Sequence, residues 1–156
     1  MAYEIKYRIE FSDFKGIDWK VEILEDAFAG TITVLRGQGD PMFVSYDNES
    51  DDVFDPIRPT VVECNVWSLT NFALIDLYAD EYLQYKVNIY RNNVLFWNGW
   101  IEPQQYREGY DMPPYRVTFT AIDGLTALKD IEFTDANGNS YNGLRYESQV
   151  ILDILD

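Results

Sequence analysis

The stretch Tyr85–Phe133, YKVNIYRNNVLFWNGWIEPQQYREGYDMPPYRVTFTAIDGLTALKDIEF, decides the fold. Tyr85, Val87 and Ile89 alternate with Lys86, Asn88 and Tyr90, the period of two that gives a strand one buried face. Asn92-Asn93 follows, and Asn tolerates the positive φ that a two-residue hairpin turn requires. Val94–Ile101 then returns as a denser apolar run. Strict alternation puts Phe96 and Trp97 on opposite faces of it. Gly99 inside the run marks either a bulge or the close approach of another backbone. Pro103 closes the strand because it has no N–H for a ladder. A polar loop ends at Met112-Pro113-Pro114, and Tyr115, Val117, Phe119 and Ala121 form the next alternating strand. Asp123 is placed to cap a short helix with Leu125, Leu128 and Ile131 facing inward.

The same rhythm extends outward on both sides. Ile5, Tyr7, Ile9 and Phe11 mark a first strand, and Ile17, Trp19, Val21 and Ile23 a second, joined by a turn at Lys15-Gly16. Phe28-Ala29-Gly30 turns the chain into a strand over Thr31–Leu35. Gly37-Gln38-Gly39-Asp40-Pro41 breaks it, Met42–Tyr46 resumes, and Thr60–Trp67 follows. Phe72–Leu83 fits strand or helix. Short strands with hairpin-scale connections predict a mainly β domain, a sandwich or barrel of short antiparallel strands with one or two short helices. One domain is expected over residues 1–146. From Ser148, the spacing of Val150, Ile151, Ile154 and Leu155 predicts a helix begun within 147–156 and continued in a further C-terminal region.

Composition narrows the function classes. The chain has 12 Lys and Arg against 27 Asp and Glu, a formal net charge of −15, which opposes binding to nucleic-acid backbone or anionic membrane. The absence of His removes Ser-His-Asp and Cys-His nucleophiles and His-bearing zinc sites. Cys64 is the lone cysteine, so no disulfide staple exists within the chain and a buried thiol is expected. The carboxylate run Asp47–Asp55 lacks the Gly and Glu of a calcium loop, and Arg58 stands at the twelfth place. Asp135–Asn139 fits a turn. Neither predicts a metal site, and no cofactor motif is present. The abundance of carboxylates makes a paired-acid hydrolase uninformative to argue, and no catalytic residue is assigned. Met1–Glu10 lacks the apolar core of a signal peptide, and no run reaches membrane-spanning length. A chain made in the cytoplasm and not inserted in a membrane is expected.

The order of strand, Phe96-x-x-Gly99-x-Ile101, variable loop, and a strand with Thr118-x-Thr120-Ala121-x-Asp123-Gly124-Leu125-x-x-Leu128 resembles the N-terminal region of bacteriophage tail hub, or baseplate hub, proteins. These are related to the spike-base proteins of contractile injection systems. The resemblance covers about a third of the chain. It implies a structural virion component located in the tail and made in the bacterial cytoplasm. It also implies a homo-oligomeric ring, trimeric or hexameric, in contact with other tail proteins, joining the tail tube to the tip or spike. Negative charge lining such a lumen would keep DNA from adhering. A second expectation comes from the aromatic residues themselves. Trp97, Trp100, Tyr106, Tyr110 and Tyr115 form a possible interaction surface, and as a sugar-stacking loop they would make the chain a carbohydrate-binding β-sandwich.

Overall fold

The period-two segments become strands, and the strands close on themselves. The computed structural model describes residues 2–46, 59–70, 73–79, 83–103, 107–108 and 112–124. Within these lie β1 (Tyr3–Ser12), β2 (Asp18–Asp26), β3 (Thr33–Tyr46), β4 (Thr60–Ser68), β5 (Tyr85–Arg91), β6 (Val94–Ile101), β7 (Arg107–Glu108) and β8 (Tyr115–Ile122). Hydrogen bonding runs β4-β3-β1-β2-β5-β6-β8, and β8 pairs back to β4, so seven strands form a ring. The two-residue β7 is an addition to β8. The fold is mainly β, and of the two expected architectures it is a barrel.

The interior is filled, as a ring this small demands. Ile9, Val21, Ile23, Val62, Val66, Val87, Ile89, Val117 and Phe119 point inward and are fully buried. Each comes from the apolar half of an alternating segment. Cys64 sits among them, also fully buried. Burial pushes its thiol up to about 12, which keeps it protonated and inert.

Several expectations need correction. The strands are not all antiparallel: Tyr7–Ile9 pair with Thr33–Leu35 in parallel. The hairpin partner β2 carries the chain back, so β3 can lie on the free side of β1 in the same direction. The segments expected either side of Gly37–Pro41 are one strand, with an irregularity between Gly37, opposite Val66, and Met42, opposite Cys64. Buried Asn65 holds the displaced backbone by donating from Nδ2 to the Asp40 carbonyl at 3.1 Å. Of residues 72–83, expected as strand or helix, those described contain a 3₁₀ turn, Ile75–Leu77, and no strand or α-helix.

The bulge in the decisive hairpin is at Phe96, not Gly99. Ile89 faces Trp97 and Tyr90 faces Leu95, leaving Phe96 without a partner. The alternation therefore slips there, and the Phe96 ring meets the Trp19 ring edge-on at 5.2 Å. Gly99 serves the other purpose: any Cβ there would strike the Ile122 carbonyl oxygen and the Trp97 ring. The Asn92-Asn93 turn has φ of 48° and 62°, as its residues predict.

The expected helix after Asp123 lies outside the described residues beyond Gly124, as does the one expected over 147–156. The acidic run Asp47–Asp55 and the turn Asp135–Asn139 lie outside them too. No helix among the described residues is long and apolar enough to cross a membrane.

Candidate functional site

The two ends of the barrel differ in chemistry. At one end the 3₁₀ turn lies across the opening and buries Leu74, Leu77 and Ala79 in the core. A bulge in β1 fastens it. Ile5 faces Leu24 and Tyr7 faces Ile23, so Lys6 is an inserted residue, and the bulge re-aims its side chain. Lys6 and Tyr7 then both reach Asp76 on the turn. Tyr7 donates its hydroxyl to both carboxylate oxygens at 2.9 Å, and Lys6 Nζ pairs with Oδ2 while also lying 3.0 Å from Glu25 Oε2. Tyr85 donates to Glu25 Oε1 at 3.1 Å, which completes the network. Burial alone would lower the Lys6 pKa, but the Asp76 and Glu25 carboxylates reverse this and hold it well above the usual lysine range. Burial and then the Asp76 carboxylate raise Tyr7.

The other end is a rim. Phe11, Trp19, Met42, Val44 and Trp97 pack against the core there but are only partly covered. The ladder also comes apart. Trp100 and Ile101 alone join β6 to β8, so among the described residues Val94–Gly99 pair only with β5. On the far side, β3 leaves β1 after Leu35, so Met42–Tyr46 pair only with β4. Between β1 and β3 lies an open groove of about 500 Å³, lined by Phe11, Val34, Leu35 and Pro41 among others. Phe43, Tyr46 and Val94 are 63%, 70% and 69% exposed, and Leu95 and Phe96 are each 49% exposed. Phe14, in the β1–β2 turn at the same end, is almost wholly exposed.

Of the residues proposed from sequence as an interaction surface, the three that are described point in different directions. Trp97 faces inward and donates from Nε1 to Thr60 Oγ1 at 2.7 Å. That hydroxyl donates to Asp123 Oδ2 at 2.8 Å, and the Thr60 amide donates to the same oxygen at 2.7 Å. Asp123 thereby ties the end of β8 to the start of β4. Trp100 lies on the outer wall, half-buried, with Lys86 Nζ 6.0 Å from its ring centre and, among the described residues, no partner for its Nε1. Tyr115 is buried, 6% exposed, and donates to the Thr70 carbonyl at 3.2 Å. Tyr106 and Tyr110 lie outside the described residues. Trp97, Trp100 and Tyr115 therefore share no platform.

Sequence reasoning missed Phe43, Tyr46 and Val94 as surface features. A signal was present: Met42–Tyr46 and Val94–Gly99 contain no charged residue in a chain that is 25% charged. What was not legible was which strand edges would lack a neighbour.

Among the described residues, groups with perturbed protonation do not meet in one cleft, as they do in many active sites. Lys6, Tyr7 and Tyr85 belong to the closed end, Cys64 to the core, and Glu102, raised by burial, to the segment just after β6. Among the described residues no group of three or more Cys, Asp or Glu is arranged to hold a metal ion. No family model matches the chain, and no curated protein or solved structure does.

Proposed function

We propose that this chain is a structural assembly module: the N-terminal domain of a bacteriophage tail hub protein, without catalytic activity of its own. In the tail it forms a trimeric or hexameric ring with further copies and links the tail tube to the tip or spike. The observation that carries this reading is the apolar rim. A chain with net charge −15 leaves Phe14, Phe43, Tyr46 and Val94 more than half exposed around one end, while the other end, covered by the 3₁₀ turn, exposes Leu69 and Ile75. Exposed apolar clusters of this kind mark surfaces that are covered by a partner.

The placement of the hub-like residues lends further support. Gly99 and Ile101 on β6 meet Ala121 and Ile122 at the joint of β6 with β8. Gly124 lies where an added Cβ would contact the Trp100 ring at 3.4 Å. Asp123, from the same run, locks Thr60. The motif thus builds the seam of the barrel, and a seam is a fold-determining feature that related modules would share.

Gold-conjugated antibody against the chain, applied to tailed particles from a lysate of the encoding host, tests the assignment by electron microscopy. Label at the distal end of the tail is expected. Particles that remain unlabelled while the free chain binds the antibody would refute it.

A further inference from the structure

The network at the closed end holds the parts of a condensation reaction. We propose that the Lys6 amine and the Asp76 carboxyl join in an amide bond with loss of water, which ties β1 covalently to the 3₁₀ turn. The bond is independent of the assembly role proposed above, and either can hold without the other.

Four observations carry it. First, nucleophile and electrophile are in contact: the bulge in β1 aims Lys6 at the turn, and its Nζ touches Asp76 Oδ2. Second, the Tyr7 hydroxyl donates to both oxygens of the same carboxyl at 2.9 Å, and burial keeps this phenol protonated. A donor so placed draws off charge and stabilises the oxyanion that attack on the carbon creates. Third, Glu25 Oε2 lies 3.0 Å from Lys6 Nζ, within reach for proton transfer, while its other oxygen is fixed by Tyr85. Fourth, the surroundings are largely apolar. The ring centres of Tyr7, Phe28 and Tyr85 lie 5.7, 5.7 and 5.3 Å from Nζ, and the Lys6 side chain is 15% exposed.

The resting state is the ion pair, and the bond forms from its neutral form. A proton passes from Nζ to Asp76, which removes two partly buried charges at once. Burial, the largest influence on Lys6, favours that uncharged amine. Nζ then attacks the carboxyl carbon, and Glu25 takes a second proton from Nζ and returns it to the departing oxygen. Nζ keeps one hydrogen, the other two leave with that oxygen as water, and no further reactant is consumed. Groups held in contact reach an effective molarity on the order of 10⁵ M, which favours the amide over hydrolysis. The Asp76 and Glu25 carboxylates keep most of the Lys6 population charged, so the step is slow. Freshly folded chain therefore carries the ion pair, and the crosslink accumulates with age.

Intact-mass spectrometry of the full chain, aged at neutral pH, is the measurement. The wild type is expected to lose the mass of one water molecule progressively. A proteolytic digest of the aged chain is expected to contain a branched peptide that links Lys6 to Asp76. Lys6→Arg keeps a positive charge beside Asp76 but lacks the amine, and should retain its full mass. Glu25→Gln removes the proton carrier and should slow the loss about a hundredfold. Cooperative urea unfolding of the fresh proteins establishes that they are folded, and Asp76→Ala replaces Lys6→Arg if the latter is not.

A folded wild type that keeps its full mass on ageing overturns the inference. Water loss that persists in Lys6→Arg belongs to another site, such as a cyclic imide at Asp123-Gly124, and overturns it too. A branch from Lys6 to Glu25 overturns Asp76 as the electrophile. An unchanged rate in Glu25→Gln overturns the proton-carrying role of Glu25.

Discussion

The closed end and the rim of this barrel are built from similar residues put to opposite use. At the closed end Leu74 and Leu77 are buried and Lys6, Tyr7 and Asp76 satisfy one another. At the rim Phe43, Tyr46 and Val94 are exposed, and two strand edges lack a neighbour among the described residues. The difference teaches where the stability of the folded chain resides. Substitutions at the closed end are expected to act on folding. If the assembly role proposed above holds, substitutions at the rim are expected to act where copies meet.

The largest effect is expected at Leu77. It is fully buried under the barrel opening, so Leu77→Ala removes apolar contact and leaves a cavity. A loss of about 3 kcal/mol is expected, within the usual range for buried Leu. Urea unfolding followed by tryptophan fluorescence measures it. A loss below about 1 kcal/mol would mean that the turn is not a core element and would dissolve the contrast between the ends.

Next comes the seam. A methyl group at Gly99 meets the Ile122 carbonyl, which is backbone and cannot swing away. Gly99→Ala is therefore expected to lower stability by about 1–3 kcal/mol, as overpacking does. An unchanged unfolding midpoint would show that β6 and β8 are not held as closely as this seam requires.

Asp76→Asn keeps an acceptor for Tyr7 and removes the charge facing Lys6. Both carboxylates of the network remain partly in contact with water, so the loss at neutral pH is expected to be about 1 kcal/mol. The pH dependence identifies the mechanism. Lys6 and Tyr7 are both raised in the fold, from 10.5 and 10.0 respectively. A raised group contributes stability in full below its unfolded value and loses it as the pH climbs through the folded one. The stability gap between wild type and Asp76→Asn should therefore narrow above about pH 10.5 and stay constant between pH 7 and 9. A gap that is flat through alkaline pH would assign the loss to packing instead.

Much of this fold was legible because strands declare themselves by alternation. Ile9, Val21, Ile23, Val87 and Ile89 are apolar at every second place, and each is buried. The Asn92-Asn93 turn was legible because few residues accept its backbone geometry. What escaped were features fixed by long-range pairing. The parallel neighbour of β1 lies some 25 residues away in sequence, and no local pattern distinguishes it from an antiparallel one. The slip at Phe96 is likewise a property of two strands together, which alternation within one strand does not reveal. For the same reason Trp97, Trp100 and Tyr115, three of the aromatic residues proposed as a common surface, do not converge. Trp97 and Tyr115 each follow their own strand's inward positions, and composition alone treats them as interchangeable with exposed Tyr46.

The smallest effect, and the sharpest test of the comparison, is expected at the rim. Phe43→Ser and Val94→Thr each replace a large or branched apolar side chain with a smaller polar one, as drastic by composition as the change at Leu77. In dilute solution each should shift stability by less than about 0.5 kcal/mol, because the removed surface was already in water and no burial is lost. The outcome should change with concentration. Where copies associate, binding stabilises the folded state by mass action, so the wild-type midpoint should rise with protein concentration. The two variants should show little of that rise, and the gap to wild type should open only in concentrated solution. For Leu77→Ala the gap should be the same at every concentration. If Phe43→Ser lowered stability as much in dilute as in concentrated solution, Phe43 would be holding the barrel itself together, and the rim would be part of the core.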